Sequence, residues 1–167
     1  MRRRGRLVPV TSLSANDPRT HHIAQLNVGI LRAHRDDPLI AGFMAALEPI
    51  NAIADASPGF IWRLETPEGN ATALRPFEDD RILVNMSVWE SIEALDAFTY
   101  RSSHTGIMRQ RRDWFERFEG RYMVLWWVPA GHIPGVEEAQ ARLAILERDG
   151  PTPVAFTFRD RFPAPAA

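Results

Sequence analysis

The stretch RILVNMSVWESIEALDAF, residues 81–98, decides the fold. Over Arg81 to Trp89 the side chains alternate, with Ile82, Val84, Met86 and Val88 on one side and Leu83, Asn85, Ser87 and Trp89 on the other. That is the period of two a strand imposes. Ser91 then stands where a helix cap is needed, and Ile92, Leu95 and Phe98 recur at helical spacing behind it. The stretch is therefore a strand leading directly into an amphipathic helix.

Working back toward the N-terminus, Ile23 to Leu31 predicts another strand. Leu26, Val28 and Ile30 share one face, and Ile23, Gln25, Asn27 and Leu31 the other. Asp36 or Asp37 caps a helix that has Pro38 at its first position, where a missing N–H costs little. Its apolar face is Leu39, Phe43, Leu47, Ile50 and Ala54, and Pro49 is expected to kink it or end its regular part. After the Ser57-Pro58-Gly59 break, Phe60 to Glu65 alternates as a strand with Phe60, Trp62 and Leu64 on one side. Thr66 to Asp80, with Pro67, Gly69, Asn70 and Pro76, reads as a long connection.

Working forward, the helix that begins after Ser91 is interrupted near Ser102-Ser103. A second helical piece follows, with Ile107, Met108, Trp114, Phe115 and Phe118 on its buried side and Arg109, Arg111, Arg112 and Arg117 mostly outside. Tyr122 to Val128 is a strand too apolar for a solvated face. Gly131, Pro134 and Gly135 precede a helix with Val136, Ala139, Leu143 and Leu146 in register, closed by Gly150 and Pro151. A last short strand is expected over Val154 to Phe158.

The order is β-α-β-β-α-β with an additional C-terminal helix and strand. This is the split βαβ, ferredoxin-like arrangement of an α+β domain, with helices on one face of an antiparallel four-stranded sheet. The opposite face, with Trp62 or Arg63, Asn27, Asn85 and Trp126 or Trp127, then needs a cover, and a second copy of the chain pairing as a dimeric α+β barrel would supply it. Residues 1–21 are expected to form a flexible arm, 22–160 the domain and 161–167 a tail.

Composition narrows the chemistry. The chain has 167 residues, a formal net charge of −1, no cysteine, and arginine as all 20 of its basic residues. Without lysine it forms no Schiff base of its own, and without cysteine it has no thiolate nucleophile, disulfide or thiolate metal ligand. The charge balance gives nucleic acid no overall attraction. No run of about 20 apolar residues spans a membrane, and the expected setting is the cytoplasm. No nucleotide-binding glycine motif, serine-hydrolase elbow or zinc-ligand spacing occurs, so no metal site is expected.

The candidate residues are few. Asn27 and Asn85 are amides on strands expected to be neighbours. Either they bind a ligand or ordered water, or they satisfy each other, with Gln25 and Ser87 in the same polar set. His104 follows a helix break, near a helix N-terminus whose partial positive charge favours neutral imidazole. It is a candidate iron ligand or proton acceptor, or else a hydrogen-bonding bridge across the break. Trp62, Trp114 and Trp126, with Phe98, are candidates to wall a pocket for a flat hydrophobic molecule, or to form core and interface.

The segments HIAQLNVGIL, LEPINAIADASPGFIWRL and VNMSVWESIEALDAFTYRSSH, continued by RRDWF, resemble the DUF3291 family over roughly residues 20–160. They also resemble the wider dimeric α+β-barrel superfamily, which includes antibiotic-biosynthesis monooxygenases and haem-degrading oxygenases. That resemblance implies a barrel dimer. It also implies a monooxygenase-like enzyme acting on a hydrophobic substrate in the barrel pocket, with or without haem. The alternative is a non-catalytic dimer that binds haem or a hydrophobic ligand. In the haem-degrading branch a first-strand Asn, an aromatic residue after a V-W-x-S strand end and a later His surround the substrate. The matching positions here are Asn27, Phe98 and His104, with His104 as the implied haem ligand. Phe98 stands where that branch has Trp, and the spacing from Phe98 to His104 is shorter.

Overall fold

A computed structural model of the chain describes residues 20–101 and 105–166, with residues 105–109 described by their backbone alone. The elements are β1 (His21–Ile30), α1 (Ala41–Asp55), β2 (Phe60–Arg63), β3 (Ile82–Trp89), α2 (Ile92–Arg101), α3 (Thr105–Trp114), β4 (Met123–Pro129) and α4 (Val136–Asp149). The strands form one antiparallel sheet in the order β2-β3-β1-β4, which is the split βαβ arrangement with α4 added. Of the arm expected over residues 1–21, all but the last two residues lie outside the described part.

Local chemistry sets the helix starts. A single 3₁₀ turn at Pro38–Ile40 leads into α1, and the Asp37 Oδ1 accepts from the Leu39 N–H at 2.8 Å. Ser91 Oγ accepts from the Ala94 N–H at 3.1 Å and starts α2 in the same way. Pro49 does not end α1, which runs through it to Asp55.

Alternation assigns the strand side chains to two faces. Ala24, Leu26 and Val28 of β1, Val84, Met86 and Val88 of β3, and Val124, Trp126 and Val128 of β4 form one face, and all are buried. α4 closes on it with Ala139 and Leu146, both with no exposed surface. Leu74 and Phe77 from the 66–80 connection, with Phe118, complete the cover. The buried Trp126 indole N–H donates to the Glu138 carboxylate on α4 at 2.9 Å, so this dry layer carries no orphaned indole donor. The face expected to stay uncovered and to pair with a second copy is the opposite one, which bears Asn27 and Asn85 and is overhung by α1, α2 and α3.

Two strand assignments are corrected. A bulge at Ile61 shifts the register of β2, so that Phe60 pairs with Trp89 but Trp62 pairs with Val88. Phe60 and Trp62 therefore do not share a face as alternation alone predicts. The strand expected over Val154 to Phe158 is reduced to isolated bridges, Phe156 with Leu125 and Ala155 with Thr152. The chain end continues along the domain, where the Trp127 indole donates to the Phe162 carbonyl at 2.9 Å and Arg161 pairs with Asp96 at 2.8 Å.

Candidate functional site

The other face of the sheet looks toward α1, α2 and α3, and there the packing is incomplete. The apolar face of α1 follows the expected spacing at Phe43, Leu47, Ile50 and Ala54, yet only Ala54 is fully buried. Leu39, expected to continue that face, is 51% exposed. A helix with an apolar stripe that stays half-exposed overhangs space instead of pressing on the strands. That space is a cavity of about 300 Å³, at the small end of ligand sites. Leu95 and Phe98 of α2, Trp114 of α3 and the following Phe115 wall it, with the exposed Tyr100 and Tyr122 among the lining.

The floor is polar. Asn27 lies directly across from Asn85, and Gln25 directly across from Ser87. The Gln25 side-chain N–H₂ donates to the Asn85 Oδ1 at 2.7 Å and to the Ser87 Oγ at 3.0 Å. Ser87 Oγ also accepts from the Trp89 indole at 2.8 Å, which ties that ring down. Trp89 stacks on Phe98 with centroids 5.0 Å apart and meets Phe60 edge-on at 5.3 Å. This network consumes the Asn85 carbonyl and leaves its N–H₂ free to donate. Asn27 has no side-chain hydrogen-bond partner among the described residues, although it is half-buried. The two amides are thus neighbours that do not satisfy each other.

Both charged side chains of the described lining are cationic, and they are in different states. Arg63 is fully engaged: it bonds Asp55 at 2.8 Å, Glu65 at 2.9 Å and the Gly69 carbonyl at 2.8 Å. Arg111 lies over the Phe115 ring at 5.1 Å and the Tyr122 ring at 5.6 Å, with no carboxylate partner among the described residues. Gly29 makes this approach feasible, because a Cβ there would stand 2.7 Å from the Phe115 ring and 3.4 Å from an Arg111 amino nitrogen. Burial raises the Tyr100 phenol above its ordinary value, and Tyr122 and Asp96 add to the effect, so that this hydroxyl stays neutral.

The structure therefore brings together Asn27, Asn85, Gln25, Ser87, Phe98 and Trp114 around one cavity. It does not bring Trp62 or Trp126 there. Trp62 is turned to the opposite face by the Ile61 bulge, and Trp126 is buried under α4. Sequence reasoning missed Arg111, grouping it with the solvent-facing arginines, although it precedes Trp114 by three residues and Phe115 by four and so shares their side of the helix.

His104 lies outside the described residues. The described lining contains neither histidine nor cysteine to serve as an axial haem ligand. Among the described residues no three His, Cys, Asp or Glu side chains converge on a point where a metal ion would sit. No described helix is long and apolar enough to cross a membrane.

A family model described as "Domain of unknown function (DUF3291)" matches residues 22–167. The chain belongs to this family. No curated protein matches this DUF3291 member significantly in sequence. Among solved structures it is similar to SnoaB, a cofactor-independent oxygenase from Streptomyces nogalater. The TM-score is 0.45 at 15% identity, covering 67% of this chain and 95% of SnoaB. It is also similar to NE2512, a protein of unknown function from Nitrosomonas europaea. There the TM-score is 0.43 at 10% identity, covering 71% and 99% of the two chains.

Proposed function

We propose that this DUF3291 domain binds a hydrophobic small molecule between the amide-bearing sheet face and α1–α3, and acts on it as a monooxygenase-like cytoplasmic enzyme. The observation that carries the reading is the half-buried Asn27 amide without a described partner, directly across from the free N–H₂ of Asn85 on an aromatic-walled floor. Asn27 is half-buried and Asn85 exposed, so both amides open onto the cavity, and a substrate oxygen placed between them would accept from both. Donors held in advance by a sheet stabilise the negative charge on such an oxygen once a hydroxylated substrate has lost its proton to solvent water. An electron-rich aromatic activated in this way is the kind of substrate that reacts with oxygen.

A second reading is favoured by one fact about the lining: none of its described residues is Asp, Glu or His. With no carboxylate or imidazole among the described residues there to take a proton, the same site also suits a non-catalytic binder of hydrophobic ligands. A homodimer, under either reading, would have to use a surface other than the α4-covered sheet face. Oxygen uptake with a panel of hydroxylated naphthalenes separates the two readings. Uptake above the protein-free rate that falls about tenfold or more in Asn85→Ala supports the enzyme. Binding of the panel with uptake equal to the protein-free rate supports the binder.

A further inference from the structure

The two cationic groups of the cavity differ in one respect that bears on the ligand. Arg63 spends its donors on Asp55, Glu65 and the Gly69 carbonyl. Arg111 spends none on a described residue, and its guanidinium rests between the Phe115 and Tyr122 rings. A guanidinium has five N–H donors in a planar fork and is always charged. Holding it half-buried against ring faces, with no acidic neighbour among the described residues, leaves both its charge and its fork uncompensated there. The described lining contains no acidic side chain to supply that compensation.

We infer that the cavity's ligand is an aromatic carboxylate, and that Arg111 clamps its acid group. This rests on the reading of the cavity as a ligand site and adds the chemical class of the occupant. The placement fits. An Arg111 amino nitrogen stands 3.4 Å from where a Gly29 Cβ would be. Asn27 faces the same way two residues earlier on β1, about 7 Å along the strand. A ring lying between Trp114, Phe98 and the sheet would thus reach the Asn27–Asn85 amides with one polar substituent and the Arg111 fork with its carboxylate. Carboxylate and guanidinium match in a two-bond geometry that an amide or alcohol cannot reproduce. The glycine at position 29 is what lets Phe115 and Arg111 come this close to the floor.

The test uses 2-naphthoate and its neutral near-isostere 2-naphthamide, titrated by calorimetry at pH 7 into the full chain and into Arg111→Gln, Arg111→Met and Arg111→Lys. The expected result is that the wild type binds the acid about tenfold or more tighter than the amide. Gln and Met at position 111 should remove the preference by bringing the acid down to the affinity of the amide, and a cooperative thermal unfolding transition shows that these variants fold. Lys should keep part of the preference. Equal binding of acid and amide by the wild type overturns the inference and leaves the ligand site standing. A preference that survives in both the Gln and Met variants overturns the assignment to Arg111. Binding of neither probe overturns the ligand site and this inference with it.

Discussion

The two faces of one four-stranded sheet are finished by helices in opposite ways. On the α4 side, a small residue, Ala139, lets the helix descend until it and Leu146 have no exposed surface, and the strands beneath are apolar throughout. On the α1 side the helix carries a comparable apolar stripe, but Phe43, Leu47 and Ile50 stay half-exposed over a floor of Gln25, Asn27, Asn85 and Ser87. The strands are the same, so the difference lies in which alternate residues are polar. An amide floor resists a dry cover because each buried amide must keep a partner. The dry cover is therefore continuous on one face, whereas on the other a cavity interrupts it, beside which Trp89 and Phe156 stay fully buried.

The largest expected effect separates the two faces. Trp126→Ala, on the dry face, should cost about 3–5 kcal/mol in urea denaturation while leaving the affinity of the folded protein for an aromatic ligand unchanged. A loss below about 1 kcal/mol would show that this face is not the core. Gly29→Ala tests the close approach on the other side. Its methyl would meet the Phe115 ring at 2.7 Å, so the expected destabilisation is about 1–3 kcal/mol, with weaker ligand binding as Phe115 and Arg111 shift. Unchanged binding would mean that those two side chains do not shape the site.

Asn85→Leu should invert the Trp126 pattern. Stability is expected to change by less than about 0.5 kcal/mol, or to rise, because an apolar group replaces an amide whose partner Gln25 keeps its bond to Ser87. Aromatic-ligand affinity should fall about tenfold. A variant that unfolds instead would make Asn85 structural.

The smallest effect belongs to Glu138, which joins Trp126 and His132 at the start of α4. Burial alone would raise its carboxyl, but the hydrogen bonds from His132 and the Trp126 indole outweigh it and hold the group below its ordinary value. A lowered carboxyl stabilises the fold above the unfolded glutamate range, and the effect is lost as pH falls through the folded value. The wild type should thus exceed Glu138→Gln by less than about 1 kcal/mol at pH 7, and the gap should close as pH drops below about 4.3. A gap that widened in acid would contradict the assignment.

Much of this contrast is legible in the sequence. The alternation of 81–89 and 23–31 places Asn27, Asn85, Gln25 and Ser87 on one face before any coordinate is known, because strand geometry leaves no other choice. What it leaves open has specific causes. A bulge at Ile61 costs one residue of register, and β2 carries no glycine to mark it, so Trp62 is misplaced. The run Val124 to Val128 is apolar on both sides, so nothing local says which tryptophan faces which helix. α4 is amphipathic, but amphipathicity does not say which surface the apolar stripe covers. Arg111 belongs to an arginine-rich run in which only its helical phase relative to Trp114 and Phe115 distinguishes it.

The indole and side-chain amide signals of a ¹⁵N-labelled sample report on both faces at once, and a titration with 2-naphthoate is the most direct test. The account predicts saturable shifts of the Asn27 and Asn85 amides and the Trp114 indole, with the Trp126 indole unmoved. Shifts centred on Trp126 and the α4 face, or none anywhere, would contradict it.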